Sequence, residues 1–165
     1  MPNFDQLWSN HPTIKNDDSL LDKSQYKNQC AINLYAALQR SAINLKTFHG
    51  QLSWQKDKPK YAIRAQELAN WLAKPSAISG SKFQKFSGSE VFEKIKGKRG
   101  IIFFQNYWGL GNQGDHIDLW NGSRLTDWTT WVRIHVRIGS FGMHSIRSDV
   151  SDFKKSQSVW FWQLP

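Results

Sequence analysis

Apolar positions along the chain follow two spacings, helical in the first half and alternating or continuous in the second. Phe4, Leu7 and Trp8 share one helical face before His11-Pro12 and the polar run from Lys15 to Ser19 break the pattern, so a short helix is expected there. From Asn28 to about Ser41, Ala31, Leu34, Tyr35 and Leu38 recur at i, i+3, i+4 and i+7 with good helix formers between them. That spacing predicts a helix with Cys30 in its first turn. Ala65, Leu68, Ala69 and Leu72 repeat the spacing up to Lys74-Pro75, where the proline stops a second helix. Beyond the Ser/Gly-rich connector from Ser76 to Ser81, Ser87-Gly88-Ser89-Glu90 fits a Ser-x-x-Glu capping box. It predicts a short helix through Val91, Phe92 and Ile95, ended by Gly97 and Gly100.

Downstream the pattern is that of strands. Ile101 to Phe104 is a continuous apolar run, and His116 to Trp120 alternates. Val132, Ile134, Val136 and Ile138 alternate with Arg133, His135 and Arg137, and Val159 to Leu164 reads as a last strand. Helices first and an antiparallel sheet afterwards make an α+β fold. With no internal repeat and no linker, residues 1–165 are expected to form one domain.

Composition narrows the classes. Hydrophobic residues are 39% of 165, enough for a core, and no apolar run approaches the roughly 18 residues of a transmembrane helix, so no membrane insertion is expected. Met1 to Asp18 lacks a basic stretch followed by an apolar one, so a conventional secretory signal is not expected either. The net charge of +9 suits an anionic cell wall as well as a nucleic acid, but the basic residues are dispersed and form no nucleic-acid motif. A nucleic-acid partner is therefore not expected. One cysteine, Cys30, excludes an internal disulfide and a cysteine-rich zinc site.

A thiol is a useful nucleophile as thiolate, which a helix N-terminus and a neighbouring imidazole both favour; Cys30 stands where the first applies. The competing reading is a small buried hydrophobe. The imidazole is sought in Gly114-Asp115-His116-Ile117-Asp118-Leu119-Trp120-Asn121-Gly122, where alternation sets Ile117 and Leu119 on one face and His116 and Asp118 on the other. If Asn121-Gly122 forms a two-residue type I′ turn, Trp120 pairs with Ser123 and His116 stands opposite Asp127. A three-residue loop would instead set Trp128 opposite His116, and a four-residue loop would set Asp127 opposite Asp118. In the first register Asp127 can fix the tautomer of His116 as a catalytic base. The chain order Cys30, His116, Asp127, with the thiol on an early helix and the base on a later strand, is that of papain-like cysteine peptidases.

No metal or cofactor is expected, because His11, His49, His135 and His144 have no ligand-like spacing around the His116-x-Asp118 pair. Nine tryptophans exceed what a core of this size needs. The stretch from Asn106 to Gly114 reads as a glycine-rich loop leading to His116, with Tyr107 and Trp108 as candidate substrate-binding cleft walls; a plain flexible loop is the competing reading.

The strings Asn28-Gln29-Cys30-Ala31-Ile32-Asn33-Leu34 and Gly114 to Gly122, with the aromatic segment Phe4…Leu7-Trp8…His11-Pro12, resemble the fourth family of type VI secretion amidase effectors. These are NlpC-like cysteine amidases that bacteria inject into competitors. The resemblance implies a papain-like/NlpC-like fold, N-terminal helices packed on an antiparallel sheet. It also implies cleavage of the γ-D-glutamyl to meso-diaminopimelate bond of peptidoglycan stem peptides in a recipient's periplasm. Carried over by motif, Cys30 is the nucleophile, His116 the base and Asp127 the orienting acid. The implied partners are the stem peptides, the secretion apparatus and a cognate immunity protein. Some members carry a further cysteine pair toward the C-terminal part, which this chain cannot form. On the residues alone, a papain-like deamidase or transglutaminase-like toxin acting on protein, and a non-catalytic basic module binding glycan or nucleic acid, stay open.

Overall fold

A computed structural model describes residues 3–17, 19–26, 28–88, 90–108, 114–127 and 158–165. Within them the elements run α1 (Phe4–Asn10), α2 (Cys30–Arg40), α3 (Ala65–Leu72), β1 (Lys82–Ser87), α4 (Val91–Ile95), β2 (Gly100–Trp108), β3 (Gly114–Trp120) and β4 (Ser158–Gln163). The strands form one antiparallel sheet in the order β1-β4-β2-β3, so the C-terminal strand lies between β1 and β2.

Register explains which apolar residues meet. Ile101 pairs with Leu119 and Trp162, and Phe103 with Ile117 and Trp160. These six residues join Leu7, Leu34, Leu38, Leu68 and Leu72 of α1–α3 in the larger core. The alternate positions Ile102, Phe104, Trp120, Val159 and Phe161 form a second cluster with Val91, Ile95 and Leu125. Covering both faces is why Ile101 to Phe104 reads as an unbroken apolar run. Gly100 lets two strands approach: a Cβ there would lie 2.0 Å from the Trp162 carbonyl oxygen. No helix among the described residues is long and apolar enough to cross a membrane.

The three expected N-terminal helices, the short fourth one and the strands at Ile101, His116 and Val159 are all present. Strand β1 was not expected. Its two aromatics, Phe83 and Phe86, are three apart and so fall on opposite faces, which destroys the period of two, and its lysines suit an exposed sheet edge. Helix α4 lies where the capping box predicted it, but Ser87 closes β1 and the cap position is held by Glu90 without a side-chain cap bond. β2 runs on to Trp108, so Asn106, Tyr107 and Trp108 belong to a strand and not to the glycine-rich loop; a register shift lies between Phe104 and Trp108. The side chains of Tyr107 and Trp108, residues 109–113 and the strand expected from Val132 to Ile138 lie outside what is described.

Candidate active site

Cys30 is the first residue of α2, held there by the residue before it. The Gln29 side-chain amide donates to the Tyr26 carbonyl at 2.7 Å and to that of Leu21 at 3.5 Å, closing the chain into the helix start, while the Gln29 carbonyl accepts from Asn33 N–H at 2.9 Å. With its N–H groups so committed, the Gln29 side chain is not a second donor to an oxyanion. Ala31 and Ile32 turn into the core, but Cys30 itself is partly exposed at a helix start, where backbone N–H groups have no partner within the helix.

His116 lies on β3 opposite Phe104, the two rings stacked with centroids 6.4 Å apart. Cys30 and Asp118 are the two groups that favour the charged form of its imidazole. Nε2 faces Asp118 Oδ2 at 3.6 Å, which leaves Nδ1 as the nitrogen for the thiol. Burial by itself would lower the His116 pKa, but Asp118 and Cys30 together outweigh it and push it up to about 10. The shift favours the imidazolium.

Asp118 is 2% exposed. Its Oδ1 accepts the Leu119 N–H at 2.7 Å and the Thr126 hydroxyl, and faces His11 Nε2 at 3.7 Å. Burial works against its charge, yet the adjacent His116 and His11 imidazoles and the Thr126 hydroxyl hold the carboxyl below the usual range. His11, buried at the end of α1, has its pKa lowered chiefly by burial, against the pull of Asp118.

The expected register of the β3 hairpin is corrected. Asn121 Oδ1 accepts from the backbone N–H groups of Ser123 (3.0 Å) and Arg124 (2.9 Å), and Asn121 N–H donates to the Arg124 carbonyl at 3.1 Å. Gly122 takes a φ of +100°, but Asn121 does not take the positive φ a type I′ turn requires of it. The side-chain turn wins, the connection spans four residues, and Trp120 bridges Leu125 instead of Ser123. Continued along the chain, this register sets Asp127 across from Asp118, not across from His116. Asp127 is half-buried.

The structure sets Cys30 and His116 at one site and brings Asp118, Thr126 and His11 to it. Sequence alternation had placed Asp118 on the face of His116, the one available signal for it. Thr126 depends on the loop register, and His11 on how α1 docks.

Residues 26–162 match the family model of the type VI secretion system (T6SS) amidase effector protein 4, Tae4. The fold is similar to that of Salmonella typhimurium Tae4 solved in complex with the immunity protein Tai4 from Enterobacter cloacae, at 18% identity and a TM-score of 0.65, covering 100% of both chains. It is also similar to Enterobacter cloacae Tae4, at 20% identity and a TM-score of 0.61, covering 100% of this chain and 98% of that one. None of the curated proteins compared matches the chain.

Proposed function

The chain belongs to the T6SS amidase effector protein 4 (Tae4) family, and from that premise we propose that residues 1–165 form one NlpC-like cysteine amidase domain that cuts the γ-D-glutamyl to meso-diaminopimelate bond of peptidoglycan stem peptides. The observation that carries this reading is that one buried imidazole, His116, is acted on by both Cys30 and Asp118, whose Oδ2 lies 3.6 Å from its Nε2. A partly exposed thiol in that setting fits a nucleophile and does not fit the core cysteine of a non-catalytic module.

The chemistry follows from the groups. With the proton of the pair resting on His116, the Cys30 sulfur attacks the amide carbonyl carbon. The Cys30 backbone N–H at the helix start donates to the developing oxyanion. The imidazolium then gives its proton to the leaving amine as the C–N bond breaks, leaving a thioester. Water, deprotonated by His116, attacks that thioester; the C–S bond breaks, the D-glutamyl acid leaves and ionises to solvent, and the Cys30 sulfur and the protonated His116 are restored. Asp118 keeps a proton on Nε2 throughout. Asp127 enters this scheme through the family resemblance alone, its register argument having gone.

The effector would act in the periplasm of a recipient bacterium, where its substrate lies, and a producing cell would need an immunity protein able to cover the Cys30 end of α2. The test is to incubate purified sacculi with the wild-type protein and with Cys30→Ala, and to resolve the muropeptides by chromatography and mass spectrometry. A cysteine-dependent fragment ending at D-glutamate is expected. Unchanged muropeptides with folded wild-type protein would overturn the substrate and leave a protein amide as the target.

A further inference from the structure

We propose that His11 is a positioning residue of the thiol–imidazole pair: its ring, with Nε2 directed at the back of Asp118 across 3.7 Å, keeps that carboxylate in the orientation that serves His116. The inference rests on the Cys30–His116 reading above and adds a residue that lies more than a hundred positions upstream of the base.

The protonation of His11 can be read from its neighbours. Its Nδ1 accepts the Thr13 backbone N–H at 3.3 Å, so Nδ1 carries no proton, and a neutral ring then has its hydrogen on Nε2. Nε2 is the atom that faces Asp118 Oδ1, at 3.7 Å. Burial favours the neutral form, and the groups acting on the ring are Asp118, His116 and Arg40. The distinction matters for the pair. A cation at His11 would compete with the imidazolium of His116 for the charge of Asp118, whereas a neutral donor orients the carboxylate and leaves its charge to His116. His11, Thr126 and Leu119 N–H all address Oδ1 and so turn Oδ2 toward His116.

His11 is well anchored for such a task. Asn10 donates to the Arg40 carbonyl at 3.3 Å and to Ser41 Oγ at 3.1 Å, tying the end of α1 to the end of the helix that begins with Cys30. Arg124 lies 5.1 Å over the Trp8 ring and links α1 to the loop that carries Thr126, while Phe4 N–H donates to the Pro165 carbonyl at 3.0 Å. α1 thereby fixes one donor against both partners of the site.

The experiment compares His11→Gln, His11→Asn and His11→Leu. Glutamine puts an amide N–H where Nε2 was and loses the acceptor for Thr13; asparagine keeps that acceptor and loses the donor to Asp118. Two readouts are taken: kcat and KM on stem peptides, and the pH profile of Cys30 alkylation by iodoacetamide, unambiguous in a chain with one cysteine. The proposal expects Gln to stay within about threefold of wild type, and Asn and Leu to lose about 10- to 100-fold in kcat at unchanged KM. Asn and Leu should also shift the alkylation midpoint to higher pH. Asn rescuing where Gln does not would make His11 a structural support of the Thr13 turn and overturn the proposal. Three variants equal to one another, whether all active or all impaired, would overturn it too. Alkylation needs no peptidoglycan, so a Gln-over-Asn order there without any muropeptide product would remove the substrate assignment and leave the role of His11 standing.

Discussion

Asp118 Oδ2 lies 3.6 Å from His116 Nε2, two residues along the same strand. A carboxylate in that place keeps the proton on Nε2 and presents Nδ1 to Cys30, the task that a cross-strand Asp127 was expected to perform. Asp118→Asn should lower kcat by about 100-fold or more with little change in KM, and Asp127→Asn should cost less. Steady-state kinetics of the two variants on one stem peptide decides it, and the opposite order would return the orienting role to Asp127.

His116 makes stability depend on pH in an assignable direction. Its folded pKa, raised to about 10, exceeds the ordinary value of 6.5, so the folded state binds more protons between them. The stabilisation is complete below pH 6.5 and is lost as pH rises toward 10, at no more than about 1.4 kcal/mol per pH unit for one proton. Urea unfolding at pH 6.5, 8 and 9.5 should show falling stability for wild type and a flatter profile for His116→Ala. Equal profiles would mean that the imidazole does not hold the extra proton.

How much of this was readable from the chain depends on the range of each interaction. Cys30 at a helix start follows from spacing within eleven residues of α2, and the strand carrying His116 follows from alternation. Register did not follow, because the Asn121 side chain bonds two downstream N–H groups, a local choice the dipeptide Asn-Gly does not disclose. β1 escaped because a lysine-rich edge strand has no apolar period to read. The approach of His11 to Asp118 depends on the docking of α1 against α2, a contact among residues far apart in sequence.

Because every step of the proposed reaction is carried by the thiol, the imidazole and backbone N–H groups, chelation should leave the rate unchanged. Sacculus hydrolysis measured with and without EDTA should agree within error, whereas iodoacetamide should abolish it. Loss of activity in EDTA, restored by a divalent cation, would sink the thiol mechanism.

Gly100 gives a test of the sheet beneath the site. It pairs with Trp120 on β3 and with Gln163 on β4, and an added Cβ would meet the Trp162 carbonyl at 2.0 Å, backbone that cannot move without separating β2 from β4. Gly97 is the useful contrast: it has a φ of +72° but open space around a Cβ, so alanine there meets backbone strain alone. Gly100→Ala should destabilise by about 3 kcal/mol, the upper part of the overpacking range, and Gly97→Ala by about 1 kcal/mol. For a chain of this length these correspond to falls of roughly 6–12 °C and 2–4 °C in melting temperature. Calorimetry on the two variants measures the order directly. A Gly100→Ala protein as stable as wild type would mean that β2 and β4 do not approach as closely as this register requires.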